Sequence, residues 1–315
     1  MIETEYFGQF KKNKNFDKFY MKRVAAIDLG SNAIRLTIAE VHSPSHYKIL
    51  EKFRFPVRIG TDVFQTGEVS ASKIDEIIEV FRKFSSHLTH FQVQEVQAVA
   101  TSALRDAKNS NLIIKQIEDT TKIKIKTITG LEEANLIYQI IAHEIPIMTG
   151  KSLLIDIGGG STELSFINEG ILETVQSFNI GTIRILKDIQ NELPQLINSI
   201  RSQVTGQKIK LVGTGGNLRR LGKLRKKIFN RADPSIIHKS EVFEMYNHLK
   251  ELSALQLMKK YDLKHDRAEV IIPALQILTS VLNDINVDII NLPKVGLSDS
   301  LILNMSSPTN FSLTQ

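Results

Sequence analysis

Apolar positions recur with period two in RVAAIDLG (23–30) and AIRLTIAEV (33–41). Both segments are rich in β-branched residues, and only Ser31 and Asn32 separate them. That pattern predicts two strands joined as a hairpin. Over 72–91 the period changes: Ile74, Ile77, Ile78, Phe81 and Phe84 fall on one helical stripe, with Ser72 as N-cap and Glu76 in the first turn. EVQAVAT (95–101) reads as a buried strand, 104–121 as a helix, KIKIKTI (122–128) as an alternating strand, and 132–144 as a helix. The pattern then restarts. KSLLIDIG (151–158) and ELSFINEG (163–170) form a second pair of strands around a glycine-rich break. IDLGSN (27–32) and IDIGGGST (155–162) match, each ending an apolar strand on Asp-x-Gly before turning. Repetition at domain length points to a duplicated domain rather than a solenoid. A third strand-to-loop passage, KIKLVGTGGN (208–217), a helix over 267–285 and the closing segment DIINLPKVGLSDSLIL (288–303) complete an α/β alternation.

Composition mainly excludes. The 315 residues are 42% hydrophobic and 23% charged, which suits two globular domains and rules out disordered or collagen-like chains. With no cysteine there is no disulfide framework, thiolate nucleophile or zinc–cysteine site, and a reducing, cytoplasmic setting is expected. No apolar run approaches the roughly 18 residues of a membrane span, so no membrane partner is expected. The formal charge is +6, and residues 1–23, with six basic and three acidic side chains, carry half of it. That segment has no apolar h-region, so 1–22 reads as a flexible extension, with Met21 as an alternative start. The remaining excess suggests an anionic partner.

Candidate chemistry lies in the three loops at strand ends. Glycine lets backbone N–H groups approach phosphate oxygens. The donors expected to do so are Gly30, Ser31 and Asn32 in the first loop; Gly158, Gly159, Gly160, Ser161 and Thr162 in the second; and Gly213, Gly215 and Gly216 in the third. Carboxylates beside such loops would repel phosphate unless a divalent cation lay between them. Asp28, Asp156 and Glu163 are the candidate ligands and Mg2+ the expected ion. A dinucleotide GxGxxG would need glycine where Leu218 and Glu163 stand, and TGKS at 149–152 lacks a P-loop's first glycine, since Ile145 occupies that place.

DLGSNAIRL, AVATSALRDAKN, ITGLEEANLI, LLIDIGGGSTEL, LVGTGGNLRRL and RAEVIIPALQIL occur in that order from about residue 23 to 303. Together they resemble the exopolyphosphatase / guanosine pentaphosphate phosphohydrolase (Ppx/GppA) family of the actin–sugar kinase–Hsp70 superfamily, in its short two-domain form. The resemblance implies two ribonuclease-H-like (actin-like ATPase) domains flanking a cleft. Domain I would span 23–130, joined by the C-terminal segment 301–315, and domain II 131–300. The expected activity is a phosphoanhydride hydrolase that releases terminal orthophosphate from inorganic polyphosphate. Hydrolysis of guanosine pentaphosphate (pppGpp) is the alternative, and a non-catalytic polyphosphate or nucleotide sensor a more distant one. A homodimer is also implied.

On their own, Glu132 and Glu133 read as first-turn carboxylates that complement a helix dipole. The resemblance makes Glu133, before the alanine of the EEA motif, the carboxylate that activates water, with Glu132 as fallback. It assigns Asp156 and Glu163 to organising metal and water, and Arg35 and Arg105 to neutralising phosphate charge. Asn135, Asn217 and the GLSDS segment (296–300) depart from the family's usual arginine, threonine and GLRxG. Seven basic residues and no acid in LRRLGKLRKKIFNR (218–231) read equally as a solvated helix face or a track for a polyanion. Without interleaved aromatics the run does not suggest nucleic acid. His265–Asp266 reads as a coincidental HD pair.

Overall fold

The computed structural model describes residues 21–145, 149–186, 192–204 and 206–306. Nearly all of the expected extension, and residues 307–315 of the C-terminal segment, lie outside them. The first half contains β1 (Lys22–Leu29), β2 (Ile34–Ser43), β3 (His46–Phe55), α1 (Ile59–Thr66), α2 (Ala71–His90), β4 (Glu95–Ala100), α3 (Ser102–Asp106), α4 (Ser110–Thr121), β5 (Ile125–Thr127) and α5 (Gly130–Glu144). The second half contains β6 (Lys151–Ile157), β7 (Thr162–Asn168), β8 (Ile171–Phe178), α6 (Leu193–Val204), β9 (Lys210–Thr214), α7 (Gly215–Phe229), β10 (Ile236–His238), α8 (Lys239–Leu249), α9 (Ala254–Tyr261), α10 (His265–Asn283), β11 (Ile289–Asn291) and α11 (Leu297–Ser306).

Two sheets repeat one plan. The first runs β3-β2-β1-β4-β5 and the second β8-β7-β6-β9-β11, with β10 added at its edge. In each, the first three strands form an antiparallel meander and the fourth joins the first in parallel. This is the ribonuclease-H-like arrangement, present twice.

The central strands are apolar on both faces because both faces are covered. In β1, Ala25, Ile27 and Leu29 enter the core beneath α2 and α4, while Val24 and Ala26 enter a core between the two sheets. In β6, Leu153, Ile155 and Ile157 face the second outer core, and Leu154 the shared one. Two helices fill the space between the sheets: α5 packs on β7 and β8, and α11 packs on α5 and on β1, β2 and β3. Among the described residues no helix is long and apolar enough to cross a membrane.

Three local expectations change. The helix expected over 104–121 is two, α3 and α4. It breaks before Ser110 because the Asn109 amide pairs with both backbone groups of Val69. The strand expected over 122–128 shrinks to Ile125–Thr127, since Lys122 adopts a left-handed conformation (φ 62°) that caps α4. The N-cap position of α2 is Ser70 rather than Ser72, and the Ser70 hydroxyl bonds Asp62 at 2.6 Å.

Candidate active site

Strand register builds the site. Asp156 in β6 lies opposite Glu163 in β7, Glu163 opposite Ser177 in β8, and Asp156 opposite Thr214 in β9. Opposed residues in a sheet point to the same face. The rung Thr214–Asp156–Glu163–Ser177 therefore presents two adjacent carboxylates flanked by two hydroxyls. Each hydroxyl donates to its neighbour: Thr214 Oγ1 to Asp156 Oδ2 at 2.8 Å, and Ser177 Oγ to Glu163 Oε1 at 3.0 Å.

The first sheet carries the equivalent rung Arg54–Arg35–Asp28. Asp28 and Asp156 occupy matching positions, and seven residues later Arg35 stands where the second sheet has Glu163. Arg35 Nη1 donates to Asp28 Oδ2 at 2.5 Å. The repeated hairpin thus places an arginine in one lobe where the other has a carboxylate.

Glu133 comes to the same place from α5. Thr129 caps this helix by a reciprocal capping box, accepting from Glu132 N while the Glu132 carboxylate accepts from Thr129 N. Glu132 also pairs with Lys126 at 2.9 Å, and these bonds hold its pKa below the usual carboxylate value. It faces away from the cleft, which leaves the fallback role without a structural basis. One residue on, Glu133 turns inward, and its Oε2 is sealed from solvent with no hydrogen-bond partner among the described residues. Burial pushes the Glu133 carboxyl well above its ordinary value, and Glu163, Asp156 and Asp28 push it further, against Arg105. Burial and then Asp156 raise Glu163 to about 8. Asp156 is raised mainly by burial, against the Thr214 hydrogen bond and Arg219. Among the described residues none of these three acids forms an ion pair.

A cavity of about 180 Å³ opens over this surface. Of the expected site residues, Asp28, Gly30, Ser31, Asn32, Arg35, Glu133, Asp156, Gly158, Gly159, Ser161, Gly215 and Gly216 line it. The first two loops meet face to face: a Cβ on Gly159 would lie 2.9 Å from Ser31 Cβ, and Ser31 Oγ bonds Ser102 Oγ at 2.8 Å. The third loop turns at Gly215 (φ 86°) and aims the N-terminus of the 15-residue helix α7 into the cavity, an electropositive end suited to an anion.

Other expected residues sit elsewhere. Thr162 is fully buried and donates to Ile180 O at 2.6 Å. Gly213 lies inside β9, where a Cβ would be 2.7 Å from Leu218, so it serves packing. Gly160 closes against Phe64 and Ser102 of the first lobe. Arg105 bonds Ile128 O at 2.9 Å and acts on Glu133 and Glu163 through its charge. Glu163 is 2% exposed and lies behind the cavity wall. No group of three His, Asp or Glu among the described residues is close enough to form a metal cage by itself, so Asp28, Asp156 and Glu163 do not make one.

Several residues at the site were given no role by the sequence, although Arg219, Arg267 and Asp299 fall within quoted motifs. Lys52, Arg219, Arg267 and Asp299 join the cavity wall, and Lys52 Nζ bonds Asp299 Oδ1 at 3.1 Å. A second cavity of about 640 Å³ adjoins it, sharing Arg35, Lys52, Arg219 and Arg267 and adding Arg54, Arg220, Lys223 and Lys294. Among the described residues no carboxylate lines it, and Phe53, Pro234 and Leu292 give it one apolar wall. Burial, then repulsion from Arg54 and Arg35, pulls Arg267 down to about 9, and Arg219 is lowered by burial and by Arg35. Asp266 of the second lobe ion-pairs with Arg54 of the first, and Arg58 with Glu269, so HD is an inter-lobe contact and not a metal motif.

The basic run divides along α7. Arg219, Arg220 and Lys223 face the cavities, Arg225 is buried against Glu241 at 2.6 Å, and Lys227 reaches Tyr261 O at 2.7 Å. Asn217 lines the cavity and donates to Ile157 O at 3.1 Å and to Thr182 Oγ1 at 3.2 Å. Asn135 is exposed, bonds Leu131 O and touches nothing at the site.

Comparison with known proteins agrees with this arrangement. Residues 37–308 match the Ppx/GppA phosphatase family. The chain is 27% identical over 299 residues to the guanosine-5'-triphosphate,3'-diphosphate pyrophosphatase of Photobacterium profundum, a match covering 90% of this chain and 59% of that protein. It is 25% identical over 166 residues to exopolyphosphatase 1 of Mycobacterium tuberculosis, covering 53% of this chain and 48% of that protein. The chain thus spans about half to three-fifths of these two relatives. An exopolyphosphatase from Cytophaga hutchinsonii shares its fold, with a TM-score of 0.83 at 21% identity over 90% of this chain and 98% of the other.

Proposed function

The chain belongs to the Ppx/GppA phosphatase family, and from that premise we propose that it is a phosphoanhydride hydrolase releasing terminal orthophosphate from inorganic polyphosphate. One observation carries the reading: Glu133, with an unpartnered buried oxygen, stands beside two uncompensated carboxylates, across a cavity from glycine loops and arginines. A polyanion explains both halves of that wall. The crowded guanidinium groups need an anion, and the acids need a task that justifies burying them unpaired.

The terminal phosphate would rest on N–H groups of the loops around Ser31 and Gly159, those of Gly30 and Gly158 being taken by Ala33 O and Ser161 O, and on the α7 N-terminus at Gly215. Arg35 and Arg219 would offset charge on its oxygens. Glu133 would orient a water in line with the phosphorus and take its proton, a role worth roughly 10²–10⁴-fold. A carboxylate raised from its usual value is suited to that transfer near neutral pH.

Of the expected ligands, Asp28 and Asp156 reach the cavity wall and Glu163 lies behind it, so a divalent cation would be held there by one or two carboxylates, by substrate phosphates and by retained waters, as magnesium is. When bound it would neutralise phosphate charge. The rest of the polyanion would follow the second, basic cavity.

One observation favours a second reading, hydrolysis of pppGpp: the Phe53–Pro234–Leu292 wall could accept a base. Phosphate release from long polyphosphate, tripolyphosphate and pppGpp, each with and without magnesium, separates the two. Glu133→Gln should keep the fold and polyanion binding and lose turnover. Wild-type turnover in that variant would sink the assignment, and binding of all three substrates with no phosphate release would leave a sensor.

A further inference from the structure

The acidic rung on the second sheet is closed at both ends by a hydroxyl. At one end Thr214 is fully buried. At the other, Ser177 stands on the edge strand β8, and its hydroxyl holds Oε1 of Glu163 at 3.0 Å. Ser161 of the glycine loop also lies near enough to favour the charged form of Glu163, but the hydrogen bond that holds this carboxylate comes from Ser177.

Ser177 has a second neighbour. Gly130, the first residue of α5, lies directly on it: a Cβ at Gly130 would collide with both Cβ and Oγ of Ser177 and come within 3.3 Å of Glu163 Oε1. Three residues further along, the same helix face carries Glu133. Ser177 therefore touches the elements that bring Glu133 and Glu163 to the site. A larger residue would hold α5 away, and a residue without a hydroxyl would release Glu163.

We infer that Ser177 is a positioning residue for the reaction proposed above, on which this inference rests. Its hydroxyl sets the Glu163 carboxylate, and its small size sets how closely α5 brings Glu133 over the rung. Groups that orient a functional carboxylate from behind typically alter activity about 10- to 100-fold when removed.

The test measures kcat and KM for phosphate release from tripolyphosphate at saturating magnesium, alongside the urea midpoint of each full-length variant. Ser177→Ala should lower kcat about 10-fold or more with KM changed less than about 2-fold. Its urea midpoint should match wild type, and Ser177→Thr, which keeps the hydroxyl but adds a methyl beneath Gly130, should lower kcat as well. Gly130→Ala should also lower kcat, and adding Ser177→Gly, which empties the contested space, should relieve part of that loss. Unchanged kcat in Ser177→Ala, or wild-type kcat in Ser177→Thr, would overturn the inference while leaving the hydrolase reading intact. A wild-type protein that releases no phosphate from any of the three substrates overturns both.

Discussion

Substituting Glu163→Gln removes one charge from a residue that is 2% exposed and keeps an oxygen that can accept from Ser177. The variant therefore isolates the cost of burying that carboxylate. Burial, reinforced by Asp156, raises the folded value from 4.5 to about 8. Because the folded value lies above the unfolded one, the folded chain keeps a proton that the unfolded chain has already released. Stability from this group is thus fully present below about pH 4.5 and falls as pH rises towards 8. At about 1.4 kcal/mol per unit, the loss reaches about 3 kcal/mol by about pH 7 and about 5 kcal/mol once both states are ionised. Glutamine does not titrate, so Glu163→Gln should match wild type near pH 4.5 and be more stable by about 3 kcal/mol at about pH 7, a large share of the 5–15 kcal/mol typical of a domain. Urea unfolding in EDTA at about pH 5, 6, 7 and 8, with linear extrapolation, reads this difference directly. A variant less stable than wild type at pH 7, or a difference that does not grow with pH, would refute the reasoning.

Three further outcomes follow from the geometry. Glu133→Gln should lose about 10²–10⁴-fold in kcat, read as phosphate release, with circular dichroism unchanged. Arg225→Ala should destabilise the chain by about 1–3 kcal/mol in urea, because Glu241 loses its closest ion-pair partner and keeps only the His238 N–H and the longer Arg231 contact. Lys223→Ala combined with Lys294→Ala should raise KM for long polyphosphate more than for tripolyphosphate and flatten its salt dependence, since both line the second cavity and neither reaches the first.

The two Asp-x-Gly hairpins were legible because β1 and β6 are buried on both faces, so each reads as an apolar run that stops at a carboxylate and a glycine. The duplication followed from the same runs. By contrast β3 is half exposed and carries His46, Lys48, Glu51, Lys52 and Arg54, which hides it among polar segments, and with it the Arg54–Arg35–Asp28 rung. Helix phase separates Glu132 from Glu133, and that phase depends on Thr129 being the cap, a boundary that composition leaves open. Gly213 illustrates the opposite error: in a glycine-rich string it resembles its neighbours, yet the strand continues through it, and the space it leaves is filled by Leu218 and Leu292. The division of the basic run was also invisible, because the partner that buries Arg225 is Glu241 on the next helix. Ser177 has no motif of its own, since its significance comes from strand register with Glu163 and from contact with Gly130.

The slot shared by Arg35 and Glu163 has a directional consequence. Two identical half-clefts facing each other would form a mouth with twofold symmetry, and a linear polymer could lie in it either way round. With a cation in one copy of the slot and an acid in the other, the mouth acquires a front and a back. The reacting end of a polyphosphate chain, on the function proposed above, would have one place to stop, and its tail one side on which to leave. A single position, read twice in the same register, thus gives a duplicated scaffold its sense of orientation.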